Sequence, residues 1–336
     1  MMAEQSARKG RMLTMLIAGA FLLLVSMLAS ILYGLRIFGL RDLWQAYSAF
    51  DGSTEHLILT NTRVPRTLIA AIVGASLAMA GAIMQVLTKN GLASPSLFGI
   101  NSGASLFVVA ALVMGGGAFA LKQLIWFAFI GAAAAAVLVF ALGSSGSRIE
   151  PSRLALAGAS IAAFGTSMTS GLILVNKQSL DDALFWMIGS VSGRSLEHLE
   201  LVLPYIGTGM LCCMLVARAL NVMALGEENA MGLGMRMKYV QMVSAAAVIL
   251  LAGSAVSVAG PIAFVGLVVP HLCRAVTGND HRWLLPYCAV AGAILLVTAD
   301  TLSRFIVPGK EIPVGIATAI IGVPFLIRVA RRKKDA

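Results

Sequence analysis

The residues able to do chemistry in this chain are few and thinly spread. Its four histidines, His56, His198, His271 and His281, fall in predicted loops or at the ends of apolar runs, and none belongs to an H-E-x-x-H zinc pair. No serine and histidine are predicted at matched depth for nucleophilic catalysis. The phosphate-cradling G-x-x-x-x-G-K-[ST] is missing as well, so any ATP that serves this protein is bound by another chain. Cys212 and Cys213 are adjacent inside one apolar run, while Cys273 and Cys288 stand alone; they read as small packing residues. The sequence therefore assigns no catalytic residue, no metal ligand and no cofactor to the chain.

What remains is charge at the edges of apolar runs and hydroxyls within one of them. Arg63 and Arg66 sit just before a long apolar run, where they either snorkel at an interface or offer forked contacts to a carboxylate. Ser160, Thr166, Ser167 and Ser170 place several hydroxyls on one side of a helix; they either line a path for a polar solute or bond to helix carbonyls. The most polar internal stretch is 218–238. There Gly226, Ala230 and Gly234 recur every four residues, giving either a close-contact face for another protein or an ordinary connector. Glu227 and Glu228 near the start of such a helix, with Arg236 and Lys238 near its end, would complement its dipole.

The elements that must position these groups are membrane helices. Stretches without Asp, Glu, Lys or Arg cover 12–35, 67–88, 90–121, 123–147, 154–176, 201–217, 239–273, 283–299 and 312–327. About 20 apolar residues cross a hydrocarbon core. Composition agrees, with 59% hydrophobic residues, 12% charged, 34 glycines and a mean hydropathy of +0.89. Run 239–273 contains Gly260-Pro261 and is predicted to break into two helices, the second short. Run 90–121 opens on Asn90-Gly91 and Ser94-Pro95 and ends at Gly115-Gly116-Gly117, leaving room for one span.

The reading is an all-α integral membrane protein of ten transmembrane helices, a single transmembrane domain over 1–336. Both termini are basic and are expected in the cytoplasm, which requires an even number of spans, with Arg63 and Lys310 outside. Threaded this way, the whole formal excess of +10 faces the cytoplasm, so a nucleic-acid partner is not needed to explain it. The first run is read as a retained anchor. Ionisable groups are scarce within the spans, which disfavours a self-sufficient secondary transporter; that reading, or a channel, is the rival from another class.

At 225–234 the sequence L-G-E-E-N-A-M-G-L-G resembles the coupling loop of bacterial ABC-importer permeases, in the variant of the iron-siderophore, haem and cobalamin family. Other blocks carry the same resemblance: R-V-P-R-T (63–67), N-G-L-A-S-P-S-L-F-G-I-N-S-G-A (90–104), F-W-M-I-G-S (185–190), G-P-I-A-F-V-G-L-V-V-P-H-L-C-R (260–274), N-D-H-R (279–282) and E-I-P-V-G (311–315). One departure is Asn90-Gly91, where the family usually has Asn-Pro; both dipeptides form turns. The resemblance implies a multi-pass subunit of the bacterial inner membrane that takes up ferric siderophores, with cobalamin or haem as alternatives. It implies a second permease subunit, identical or homologous, two ATP-binding cassette subunits and an extracytoplasmic substrate-binding protein. It also assigns Leu225, Gly226, Glu227, Ala230, Leu233 and Gly234 to contact with the ATPase, and Arg63, Arg66 and Arg304 to docking of the binding protein.

Overall fold

The apolar runs fold into helices in the order the sequence sets them. The computed structural model describes residues 2–115, 119–145, 148–175, 180–307 and 311–332; Gly116, Gly117, Lys310, Lys333 and Lys334 lie outside the described residues. The helices are α1 (Met2–Leu32), α2 (Leu40–Ser48), α3 (Thr54–Ile58), α4 (Val64–Leu87), α5 (Ile100–Gly115), α6 (Leu121–Gly143) and α7 (Pro151–Val175). After them come α8 (Leu180–Ile188), α9 (Leu196–Met223), α10 (Glu227–Gly232), α11 (Met237–Ala259), α12 (Val265–Thr277), α13 (His281–Ser303) and α14 (Val314–Arg332). Among the described residues, seven helices are long and apolar enough to cross a membrane, and three shorter apolar helices are α5, α12 and the Val314–Arg328 part of α14. Run 239–273 breaks where expected: Gly260 ends α11 at φ 72°, and α12 resumes after Phe264. Run 90–121 gives a short 3-10 turn, Pro95–Phe98, followed by α5.

Helix α4 is the central post, buried along nearly its whole length and packed against α9, α11, α12 and α13. Its glycines explain how so many helices reach it. A Cβ at Gly74 would collide with the Gly292 carbonyl of α13, and one at Gly81 with the Gly266 backbone of α12. Gly103 of α5 and Gly131 of α6 meet in the same reciprocal way. In lipid there is no hydrophobic drive between apolar helices, so close van der Waals approach through small residues supplies the cohesion. By contrast α1 and α7 lie at the periphery, with apolar faces such as Phe21, Leu156, Phe164 and Leu174 exposed.

Three chain breaks converge at one point. Gly189, at φ 80°, follows α8; Ser190 N–H donates to the Ala259 carbonyl at the end of α11 (2.7 Å), and Gly315 N–H at the start of α14 donates to the Gly189 carbonyl (3.1 Å). A Cβ on Gly189 would strike the Pro261 carbonyl, and one on Gly315 the Ile188 carbonyl. The sequence blocks 185–190, 260–262 and 311–315 thus meet backbone to backbone.

Overpacking such a contact costs about 1–3 kcal/mol. Gly74→Leu should therefore lower the thermal midpoint of the purified protein in detergent, whereas Gly171→Leu, whose Cβ meets nothing, should leave it unchanged. Equal midpoints for the two variants would show that the α4–α13 approach is not tight.

Candidate functional site

At the end of the bundle where α1 and α13 finish and α4 begins, a buried ionic cluster joins the three. Asp300 lies in the last turn of α13 and is 1% exposed. Arg66, on the first turn of α4, donates from Nε to both of its carboxylate oxygens (3.1 and 2.9 Å) and from Nη2 to Oδ1 (2.9 Å). Arg304, one turn beyond Asp300, donates from Nη2 to Oδ2 at 2.6 Å. The second terminal nitrogen of Arg66 reaches Glu311 Oε2 (2.5 Å), which also accepts from the Ser192 hydroxyl (3.0 Å).

The remaining positive charge is spread over the C-terminal carbonyls of α1. A helix leaves its last four carbonyls without intrahelical partners, and cations are favoured there. Arg304 Nη1 donates to Ser30 O (2.7 Å), Arg63 Nη1 to Tyr33 O (2.7 Å), and Ser30 and Thr67 share a hydroxyl bond of 2.9 Å. Burial pushes the Glu311 carboxyl up, but Arg66 and the hydrogen bonds it accepts pull it further down, below the usual carboxylate range. Its contribution is present above that range and is lost as pH falls through the lowered value.

The structure corrects the expectation of three exposed arginine forks. Arg63, Arg66 and Arg304 are 7, 3 and 1% exposed and committed to partners within the chain. Sequence reasoning did not connect them to Asp300 and Glu311. The available signal was the Asp300/Arg304 spacing of one helical turn, since a carboxylate at the end of an apolar span needs a cation.

At the opposite end, 218–238 is also corrected. No single helix carries Gly226 through Lys238: α9 runs to Met223, α10 has six residues, and α11 starts at Met237. Gly226 (φ 109°) and Gly234 (φ 78°) flank α10 in conformations that L side chains avoid, so they share no helix face with Ala230. Ala230 is fully buried within the chain. Leu225, Met231 and Leu233 are large apolar side chains left exposed here, at 67, 39 and 71%. The Glu227 side chain lies outside the described residues. Beside this turn is a cavity of about 530 Å³ lined by Gln85, Lys89, Gly226, His271, Arg274 and His281. Arg274 of α12 donates to Gln85 Oε1 of α4, and Asn221 accepts from His281 N (2.7 Å) while donating to Asp280 (2.7 Å).

On α7, Ser160, Thr166, Ser167 and Ser170 are all exposed. Thr166 lines a cavity of about 300 Å³ together with Asn101, Ser102 and Ser105 of α5, polar residues that the sequence reading did not single out.

A central glycine-packed α4, surrounded by apolar helices long enough to cross a bilayer, defines a multi-pass helical membrane protein. The chain belongs to the FecCD transport family, whose model matches residues 22–332. It is 46% identical over 99% of both chains to YfiZ of Bacillus subtilis (strain 168), described as a probable siderophore transport system permease protein. It is 45% identical to the Fe(3+)-citrate import system permease protein YfmD of the same organism, over 85% of each chain. Among solved structures, a metal-chelate type ABC transporter in an inward-facing conformation superposes with a TM-score of 0.82 at 25% identity, covering 95% of this chain and 99% of that one.

Removing one partner of a buried charge pair leaves the other uncompensated, at about 3–5 kcal/mol. Asp300→Asn should therefore sharply lower the yield and thermal midpoint of folded protein. Adding Arg304→Met to it should restore part of the loss, because one of the stranded cations is removed. A double variant no better than the single one would show that Asp300 acts through something other than its arginines.

Proposed function

We propose that this chain is the membrane-spanning subunit of an ATP-driven importer of ferric chelates, siderophores foremost. The observation that carries the reading is the near full-length similarity to YfiZ, supported by the similarity to a Fe(3+)-citrate permease. In this reading the chain binds no cofactor, and ATP is hydrolysed on two separate cassette subunits. Two permease subunits, identical or homologous, flank the path, and a substrate-binding protein delivers the chelate from outside. Ser160, Thr166, Ser167 and Ser170 face that path, where hydroxyls offer weak, replaceable hydrogen bonds to a polar cargo.

Coupling to the ATPase runs through 225–234, with Leu225 and Leu233 as the apolar contacts and Gly226 and Gly234 setting the turn that presents them. Ala230 supports that turn from inside, and Glu227 lies at the start of its helix. Docking of the binding protein uses the cluster of Arg63, Arg66 and Arg304 by exchange. The Glu311 side chain is 33% exposed, and a carboxylate from the partner would take its place on Arg66.

Reconstitution in proteoliposomes with the ATPase and binding protein tests these roles together. Uptake of radiolabelled ferric siderophore should require ATP and be blocked by vanadate; uptake by the chain alone, driven by an ion gradient, would overturn the importer reading. Leu233→Asp should insert normally yet lose ATP-driven uptake, and retained uptake would remove Leu233 from the coupling contact. Glu311→Gln should lower the concentration of binding protein needed for half-maximal uptake by severalfold, through freeing Arg66. No change in that concentration or in its salt dependence would sink docking by exchange.

A further inference from the structure

A second arginine site stands near the outer cluster and is used by none of the roles above. Between the end of α5, the start of α6, α8 and the segment leading into α9 is a cavity of about 360 Å³. Phe119, Leu121, Phe185 and Trp186 form much of its wall, and Arg194 contributes the charge. Arg194 is 7% exposed, its Nε is buried with no hydrogen-bond partner, and no carboxylate is paired with it among the described residues. Burial alone draws its guanidinium down to about 10, so it stays charged at neutral pH.

The surrounding charges do not relieve it. Lys122 is neutralised by Glu197 at 3.5 Å, and His198 turns its Nδ1 to Ser195 (2.9 Å to Oγ). Ser192 is occupied by Glu311 and Arg66. An unpaired buried cation is costly, and this one lies two residues before the N-terminus of a 28-residue helix, whose dipole further favours an anion.

Depth and wall chemistry narrow the ligand. The cavity is level with the first residues of two membrane-crossing helices, α6 and α9, where lipid head groups lie. Phe185 lines it and is also 55% exposed, so an apolar surface runs from the cavity onto the outside of the bundle. We propose that this cavity binds an anionic phospholipid of the outer leaflet, with the phosphate on Arg194 and the acyl chains over Phe119, Leu121 and Phe185. The leaflet follows from the topology assigned by the basic residues, while the site itself is independent of which chelate is carried.

The test uses the purified permease–ATPase complex in detergent. Thermal midpoints are measured with no addition, with phosphatidylglycerol, with phosphatidylcholine, and with citrate as a soluble oxyanion. Native mass spectrometry counts the lipid retained per chain. Phosphatidylglycerol should raise the wild-type midpoint and be retained, and phosphatidylcholine should do so less. Arg194→Met should lose the shift and the retained lipid while matching or exceeding the wild-type midpoint with no addition, since a stranded charge has gone. Arg194→Lys should keep part of the shift, and Phe185→Ala should weaken retention with the charge intact. Equal phosphatidylglycerol shifts in wild type and Arg194→Met would overturn the site. So would an Arg194→Met midpoint depressed without lipid, which marks a structural arginine. Stabilisation by citrate and not by phosphatidylglycerol would overturn the lipid assignment in favour of a water-borne carboxylate.

Discussion

A carboxylate buried among apolar helices requires cations close by, and the way Asp300 meets that requirement sets the arrangement of one whole end of the protein. Its two oxygens are shared between Arg66 and Arg304, which ties α13 to α4 in a single register. Arg304 then has a nitrogen left for the final carbonyls of α1, and Arg63 adds another. Hydrogen bonds from charged donors thus hold three helices that otherwise touch through small apolar residues. Replacing such a cluster by well-packed apolar side chains is often neutral or stabilising. Its value here is geometric, because directional hydrogen bonds fix the register of α1, α4 and α13 at this end.

The sequence shows much of this architecture and hides a specific part of it. The order of the spans, the break at Gly260-Pro261 and the single helix within 90–121 are legible because charge-free length and turn residues act locally. The direction of an arginine at a span end is not local. Arg66 finds Asp300 across 234 residues, and a side chain near an interface can turn inward or outward with equal ease in the sequence. The 226, 230, 234 pattern misleads for a different reason. Its periodicity presupposes one helix, yet two of its members are glycines whose positive φ bounds that helix. Arg194 carries no sequence signal either, since nothing in a string of letters marks a charge that lacks a partner.

The family blocks acquire physical meaning once their positions are known. Asn90–Ala104 contains Gly99, at φ 67°, and Gly103, which lets α6 approach. Gly266, within the block that begins at Gly260, admits α4. Residues 185–190, 260–262 and 311–315 belong to one junction. These blocks therefore record close backbone contacts of the scaffold, whereas Leu225 and Leu233, the residues proposed for partner contact, lie on a turn whose exposed side chains the packing does not dictate.

The junction at Gly189 also constrains how the protein can change shape. Side chains absorb small displacements by changing rotamer, but here carbonyl oxygens of one segment lie directly on glycine α-carbons of another, joined by backbone hydrogen bonds of 2.7 and 3.1 Å. Nothing compliant lies between them. The end of α8, the α11–α12 break and the head of α14 are therefore joined backbone to backbone, so a displacement of any one presses directly on the other two.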